Sequence, residues 1–341
     1  MKSRLIYITL ISFALCLGGC KKTNNTAYIK ESSTRFHTTY HLTYQHERAL
    51  TAEIDSVFDS FNAILNPFDS TSLVAKFNRN ETDELHPMLD DVISKAIEVS
   101  EQTNGLYDIT GAPLFDLWGF GTKKGVTRTA SQEEIDSTLN YVGYKKLIVD
   151  REHKRLKKED DRLSLNPSSL SKGYITDLVA KELERHGVTN YLVEIGGEIV
   201  ANGVNPKGEC WKIGINKPIP DSTSMVNDII FAISLCDKVG VASSGDYRNF
   251  KVVDGKKVAH TINVLTGYPA HQDILSATVI APTSMEADAW ATAFMAMGLE
   301  ASKKILDKQP QLSVCLIYSD PETGEYKTYE KGIQIIELEN E

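Results

Sequence analysis

Polar and apolar positions along the chain change period several times, and each change marks an element. From Phe36 through Thr38, Tyr40, Leu42 and Tyr44 the side chains alternate with polar neighbours, the period of a half-buried strand. Ile54, Val57, Phe58, Phe61 and Leu65 then recur at helical spacing, and Asn66-Pro67 stops that helix. Val92, Ile93, Ala96 and Val99 mark a second helix that ends near Gly105. Ser131 and Glu134 form a capping-box pattern that opens a third, and Lys172 to His186 makes a fourth with Gly187 as its C-cap. Strands are predicted at Tyr191–Ile195, Trp211–Ile215, Ile229–Cys236, Val258–Ile262 and Leu275–Ala281, after which Thr283 and Glu286 cap one more helix running to about Gly298. Helices and strands without strict βα alternation imply an α+β fold. The charged segment from Lys154 to Arg162, between two strand-like runs, reads as a solvated hairpin edge.

The first twenty residues follow another logic. Lys2 and Arg4 precede an apolar run from Leu5 to Leu17 that is short for a bilayer span and ends in Leu17-Gly18-Gly19-Cys20. This is the pattern of a secretory signal over residues 1–19, and the last four residues resemble a bacterial lipobox. That resemblance implies cleavage before Cys20, lipidation of its thiol and anchorage to a membrane, with residues 20–33 as lipidated cysteine and tether and 34–338 as the folded domain. Of the remaining cysteines, Cys210, Cys236 and Cys315 show no CxxC spacing, so neither a disulfide framework nor a zinc site is expected. Cys236 and Cys315 sit in apolar strand-like runs and read as small buried hydrophobes. The net charge of −9, with no basic stripe, argues against nucleic acid as a partner.

Several catalytic signatures are missing from the sequence: a Walker A loop, HExxH and GxSxG, while Gly119-Phe120-Gly121 lacks the third glycine of a dinucleotide fingerprint. What remains is a set of polar, glycine-bearing segments at the ends of regular elements. Asn166 to Tyr174 leaves a strand and opens a helix, where free backbone N–H groups and Lys172 suit an anion. Glu194 to Glu198 and Ser243 to Arg248 leave two other strands, and each segment alone could be no more than a turn. In Ala287-Asp288-Ala289-Trp290-Ala291-Thr292, Asp288 and Thr292 stand four apart on one helical face. A carboxylate and a hydroxyl there suit Mg²⁺, which takes few protein ligands; an N-terminal acid favouring the helix dipole and a Thr bonding back to a carbonyl is an equally good account of the same spacing.

Taken in order, TNGLYDIT, PLFDLWGFG, SLSKGY, YLVEIGGE, ASSGDY, HTIN with TGYP, and APTSMEADAWAT resemble the ApbE family of FAD:protein FMN transferases, from about Phe36 to Ile336. The resemblance implies a T-fold-like α+β architecture with an FAD cleft between intertwined lobes and Mg²⁺ on the pyrophosphate. The implied reaction moves FMN from FAD onto a Thr or Ser hydroxyl of a target protein and releases AMP. Typical targets are flavin-carrying subunits of membrane electron-transfer complexes. Carried over by position, Asp288, Thr292 and Ser169 match the metal ligands, the last usually through its backbone carbonyl. Phe36, Phe68, Leu106, Tyr107, Asp108, Asn166, Lys172 and Thr261 fall at FAD-contact positions, and His260 matches the base that takes the acceptor proton.

The chain departs from the family pattern in four places. Phe68 stands where many members carry Tyr, Asn166 replaces a frequent Asp, His37 interrupts a Met-Gly-Thr start, and Asn263-Val264-Leu265 replaces an Asp-Pro-containing run. None removes an expected metal ligand or the base. The rival readings are a hydrolase that splits FAD into FMN and AMP and a non-catalytic flavin-binding lipoprotein.

Overall fold

In the computed structural model, which describes residues 27–122, 128–216, 218, 229–245, 250–253, 256–259, 261–270, 273–320 and 322–337, the chain begins with a hairpin. Tyr28–Arg35 (β1) pairs antiparallel with Thr38–Gln45 (β2) across a two-residue turn in which Phe36 and His37 have φ of 52° and 60°. The strand expected from Phe36 therefore starts at Thr38, and the folded body starts at Tyr28, inside the segment expected to be a tether. β1 left no pattern to read because it is an edge strand without a buried stripe. The left-handed turn also explains why the resemblance expects Gly at position 37, where His instead adopts positive φ at a cost of about 1 kcal/mol.

There follow α1 (Thr51–Leu65), α2 (Leu73–Asn78), α3 (Pro87–Gln102), α4 (Ala112–Leu117), α5 (Gln132–Leu139), the hairpin of β3 (Leu147–Asp150) and β4 (Arg155–Lys158), and α6 (Ser171–Arg185). The second half runs through β5 (Tyr191–Ile195), β6 (Glu198–Asn202), β7 (Trp211–Asn216), β8 (Ile229–Leu235), β9 (Val239–Gly245), β10 (Phe250–Val253) and β11 (Lys256–Ala259). It ends with β12 (Ile274–Ala281), α7 (Ser284–Met297), α8 (Leu299–Leu306), β13 (Ser313–Ser319), β14 (Tyr326–Lys331) and β15 (Ile335–Glu337). The capping box at Ser131 and Glu134 is formed, and Thr283 Oγ1 accepts from Glu286 N at 3.2 Å to start α7. The charged segment near Lys154 is the β3–β4 hairpin, as expected.

One antiparallel sheet in the order β1-β2-β5-β6-β9-β12-β13-β14 organises the molecule. Because side chains alternate across a strand, its central members feed two cores. Val200, Ala242, Val314 and Leu316 join the core under α1, α3, α6 and α7. Ile199, Val241, Cys315 and Ile317 face the other way, onto a second sheet ordered β15-β8-β7. Leu114, Trp118, Ile135 and Val264 form a separate small core that seats α4 and α5 against the turn around Gly267, whose carbonyl accepts from Trp118 Nε1 at 2.8 Å.

Cys210 and Cys236 form a disulfide, with Cα atoms 4.6 Å apart, and this corrects the expectation of a free thiol at Cys236. Trp211 faces Leu235 in the β7–β8 register, so the hairpin places the flanking cysteines opposite each other although no local spacing announces them. Cys315 is a buried free thiol, as expected.

Candidate active site

The site is built where α6 and β9 grip the start of α7. A Cβ on Gly173 would lie 2.2 Å from the carbonyl oxygen of Ser284, and one on Gly240 would lie 2.0 Å from Ser284 N. Only glycine lets three backbones approach this closely. The approach sets α7 one turn further on, so that Gly173 N donates to Asp288 Oδ2 at 3.0 Å. Thr292, one more turn along, directs Oγ1 to the Ser169 carbonyl at 3.4 Å and to Ser244 Oγ at 3.5 Å. These distances are long for hydrogen bonds. A carboxylate and a hydroxyl from α7 and a carbonyl from the turn before α6 are also the hard oxygen donors that suit Mg²⁺. Among the described residues no group of three or more His, Cys, Asp or Glu could hold a metal, so the donor set is poor in charge and free of sulfur and imidazole.

Asp288 is 3% exposed. Burial, reinforced by the nearby charge of Glu198, raises its pKa well above the usual carboxylate range, against the pull of Lys172 and the Gly173 N–H. Burial pulls Lys172 down, yet Glu198 and Asp288 together outweigh it and leave the ammonium raised. Lys172 Nζ bonds directly to Glu198 Oε1. Glu198 was visible in the sequence only as part of a glycine-bearing turn; Ser244 likewise. Their roles depend on neighbours in space, which no local spacing carries.

A cleft of about 1230 Å³ opens above this floor. Phe68, Leu106, Tyr107, Asp108 and Asn166 line it, as do Ser169, Lys172, Thr261, Asp288 and Thr292. Its other walls come from the sheet at Thr38, Thr39 and Glu194 and from Ile213, Gly214 and Ile233 of the smaller sheet. Phe68 is 61% exposed at the mouth. Tyr107 OH accepts from Ser169 Oγ at 2.9 Å, which ties the aromatic wall to the turn before α6. Asp108 is held inward: Oδ1 accepts from Thr110 N and Oγ1 at 2.8 and 2.7 Å, and Oδ2 from Tyr144 N at 2.6 Å. Asn166 Oδ1 is likewise engaged by Ser168 N and Oγ, at 3.1 and 2.6 Å. Both side chains therefore shape the loops that border the cleft. The Phe36 ring packs on Phe58 and Phe61 with centroids 5.9 and 5.4 Å away, while its neighbour His37 lines the cleft. His260 and Cys20 lie outside the described residues.

The ApbE family profile matches residues 36–316. A protein of Haemophilus influenzae named FAD:protein FMN transferase is 34% identical over 330 residues, which is 93% of either chain. One of the same name from Escherichia coli K12 is 31% identical over 285 residues, 82% of this chain and 79% of its own. The structure described as the flavin transferase ApbE from Vibrio cholerae matches at a TM-score of 0.77 and 29% identity, covering 90% of this chain and 97% of the other. The apo form of the Pseudomonas stutzeri flavinyl transferase ApbE matches at 0.77 and 27%, covering 90% and 95%.

Proposed function

This chain belongs to the ApbE family, and from that premise we propose that it is a Mg²⁺-dependent transferase that moves FMN from FAD to a Thr or Ser hydroxyl of an acceptor protein. The observation that carries this reading is the convergence of Asp288, Thr292 Oγ1 and the Ser169 carbonyl beside Lys172, on the floor of a cleft whose 1230 Å³ exceeds the usual volume of a small-molecule site. Asp288, Thr292 and Ser169 would hold Mg²⁺, which supplies charge neutralisation at a pyrophosphate.

The chain's own residues supply the rest. Lys172 opens α6 at the cleft floor, where its ammonium and the helix N-terminus favour phosphate oxygens. Tyr107 and Leu106 offer the flavin apolar wall, and Phe68 covers it at the mouth. The acceptor oxygen attacks the phosphorus of the FMN half and forms a phosphoester. The bond from that phosphorus to the bridging oxygen breaks, and its electron pair leaves with AMP. The hydroxyl proton passes to His260, whose imidazole has a near-neutral pKa in water and suits a general base.

The acceptors of this reading are flavin-carrying subunits of membrane electron-transfer complexes, met on the periplasmic side of the cytoplasmic membrane by an enzyme anchored through lipidated Cys20. The Cys210–Cys236 disulfide supports an oxidising compartment. Among the described residues no helix is long and apolar enough to cross a membrane. Incubation with FAD, Mg²⁺ and such a subunit, followed by intact-mass measurement, tests the chemistry. A gain of one FMN supports transfer, and free FMN beside an unmodified acceptor supports hydrolysis instead. For the anchor, the Cys20→Ala chain should move from the membrane to the soluble fraction.

A further inference from the structure

Glu198 is an acid where the fold would be better served by an apolar residue. It opens β6, is 1% exposed, and is followed by the apolar Ile199, Val200 and Ala201. Its Oε1 bonds to Lys172 Nζ, while its Oε2 has no hydrogen-bond partner among the described residues. A buried carboxylate with one oxygen unpaired costs stability, and a pair of this kind is often no better than a hydrophobic replacement. The exposures of the partners show which way the pair faces. The Lys172 side chain is 44% exposed and lines the cleft; that of Glu198 is 2% exposed and lies beneath it. Asp288, a second acid in the field of Lys172, accepts instead from Gly173 N at 3.0 Å. Glu194 is drawn elsewhere, to Gly197 N at 2.6 Å and toward His41 at 4.0 Å.

We propose that Glu198 is a positioning residue: its buried carboxylate holds the Lys172 ammonium at the cleft floor and away from Asp288, so that Lys172 meets the pyrophosphate of FAD and Asp288 keeps its oxygens for the metal. The identity of the phosphate ligand rests on the flavin-transfer reading above. In Glu198→Gln the side-chain shape is kept, but the ammonium loses the anion that fixes it and turns to Asp288. The direction of the effect is diagnostic. If net charge alone governed binding, removing an anion from the floor would tighten the grip on polyanionic FAD; positioning requires the opposite.

The test is a double-mutant cycle in the full chain with E198Q, K172M and the combined variant, read by flavin-fluorescence titration with FAD in Mg²⁺ buffer without acceptor, and by thermal melting. E198Q should weaken FAD binding about tenfold, K172M by a similar factor, and E198Q in the K172M background should add nothing. The melting temperature of E198Q should equal or exceed that of the parent, because an unpaired buried charge is gone. Unchanged or tighter FAD binding in E198Q, or the same loss in both backgrounds, overturns the proposal. Transfer to an acceptor is measured separately, so a parent chain that binds FAD but transfers nothing refutes the flavin-transfer reading while the titration still decides the role of Glu198.

Discussion

Replacing Gly173 by alanine adds one methyl group, yet it should damage both stability and turnover. The added Cβ would sit 2.2 Å from Ser284 O, 2.5 Å from Ser284 C and 2.7 Å from Met285 N. All three are backbone atoms, so no side chain can swing aside. Non-bonded heavy atoms settle near about 3.5 Å, and relief therefore needs α6 and α7 to part by roughly 1 Å. Overpacking of this kind costs about 1–3 kcal/mol, of which alanine's better helix propensity returns about 1 kcal/mol. A net loss of up to about 2 kcal/mol corresponds to a melting temperature lower by up to roughly 8 °C. The functional effect is larger, because α6 carries Gly173 and Lys172 while α7 carries Asp288 and Thr292. A displacement of about 1 Å in such a constellation can cost about 10²-fold in rate. Differential scanning calorimetry and an FMN-transfer time course on the Gly173→Ala chain measure the two effects. A variant that melts like its parent and keeps its turnover would refute the claim that this glycine sets the spacing of the site.

Other outcomes follow from the same geometry. Asp288→Asn removes the one carboxylate of the donor set, so Mg²⁺-dependent FMN transfer should fall by more than the roughly 10–100-fold typical of outer-shell changes, as read by intact mass. Because burial and Glu198 raise the pKa of Asp288, its proton must leave before the carboxylate binds Mg²⁺. Mg²⁺ affinity should therefore strengthen as pH rises through the pKa of Asp288. Calorimetric titration in two buffers of different ionisation enthalpy should show proton release, and pH-independent binding would contradict the assignment. The same raised pKa gives the metal-free fold a stability contribution that is full below the ordinary carboxylate pKa and is lost as pH rises through the folded one. Reduction of Cys210–Cys236, whose partners are 26 residues apart, should cost about 3–4 kcal/mol on loop-closure grounds and lower the melting temperature in dithiothreitol; an unchanged melt would show that the hairpin holds without it.

Elements with one wet face were legible from their pattern alone. α1 runs to Leu65 as its apolar spacing requires, β5 spans Tyr191–Ile195, and the Thr283 cap starts α7. β6 escaped because a strand that feeds a core on each side has no polar alternation to display, and β9 and β13 were legible only as strand-like runs before Ser243 and around Cys315, without bounds. The site divides in the same way. Asp288 and Thr292 could be paired because four residues on a helix is a fixed geometry. The Ser169 carbonyl and Ser244 reach Thr292 only through the tertiary fold; the family resemblance supplied Ser169, and nothing in the sequence singled out Ser244. At the β1–β2 turn, where no period is readable, His37 lines the cleft while the Phe36 ring packs against the core.

The distance along the chain between the two halves of the site has a consequence for when it comes into being. Ser169 meets Thr292 across 123 residues, and Gly173 meets Asp288 across 115. A polypeptide that emerges N-terminus first, from a ribosome or a translocation pore, presents the α6 half long before α7 exists to complete it. Through that interval the start of α6 has neither Asp288 nor Thr292 beside it. On the proposed reading nucleotide capture waits for α7, and FAD retention would report that Ser284–Met297 has arrived and docked.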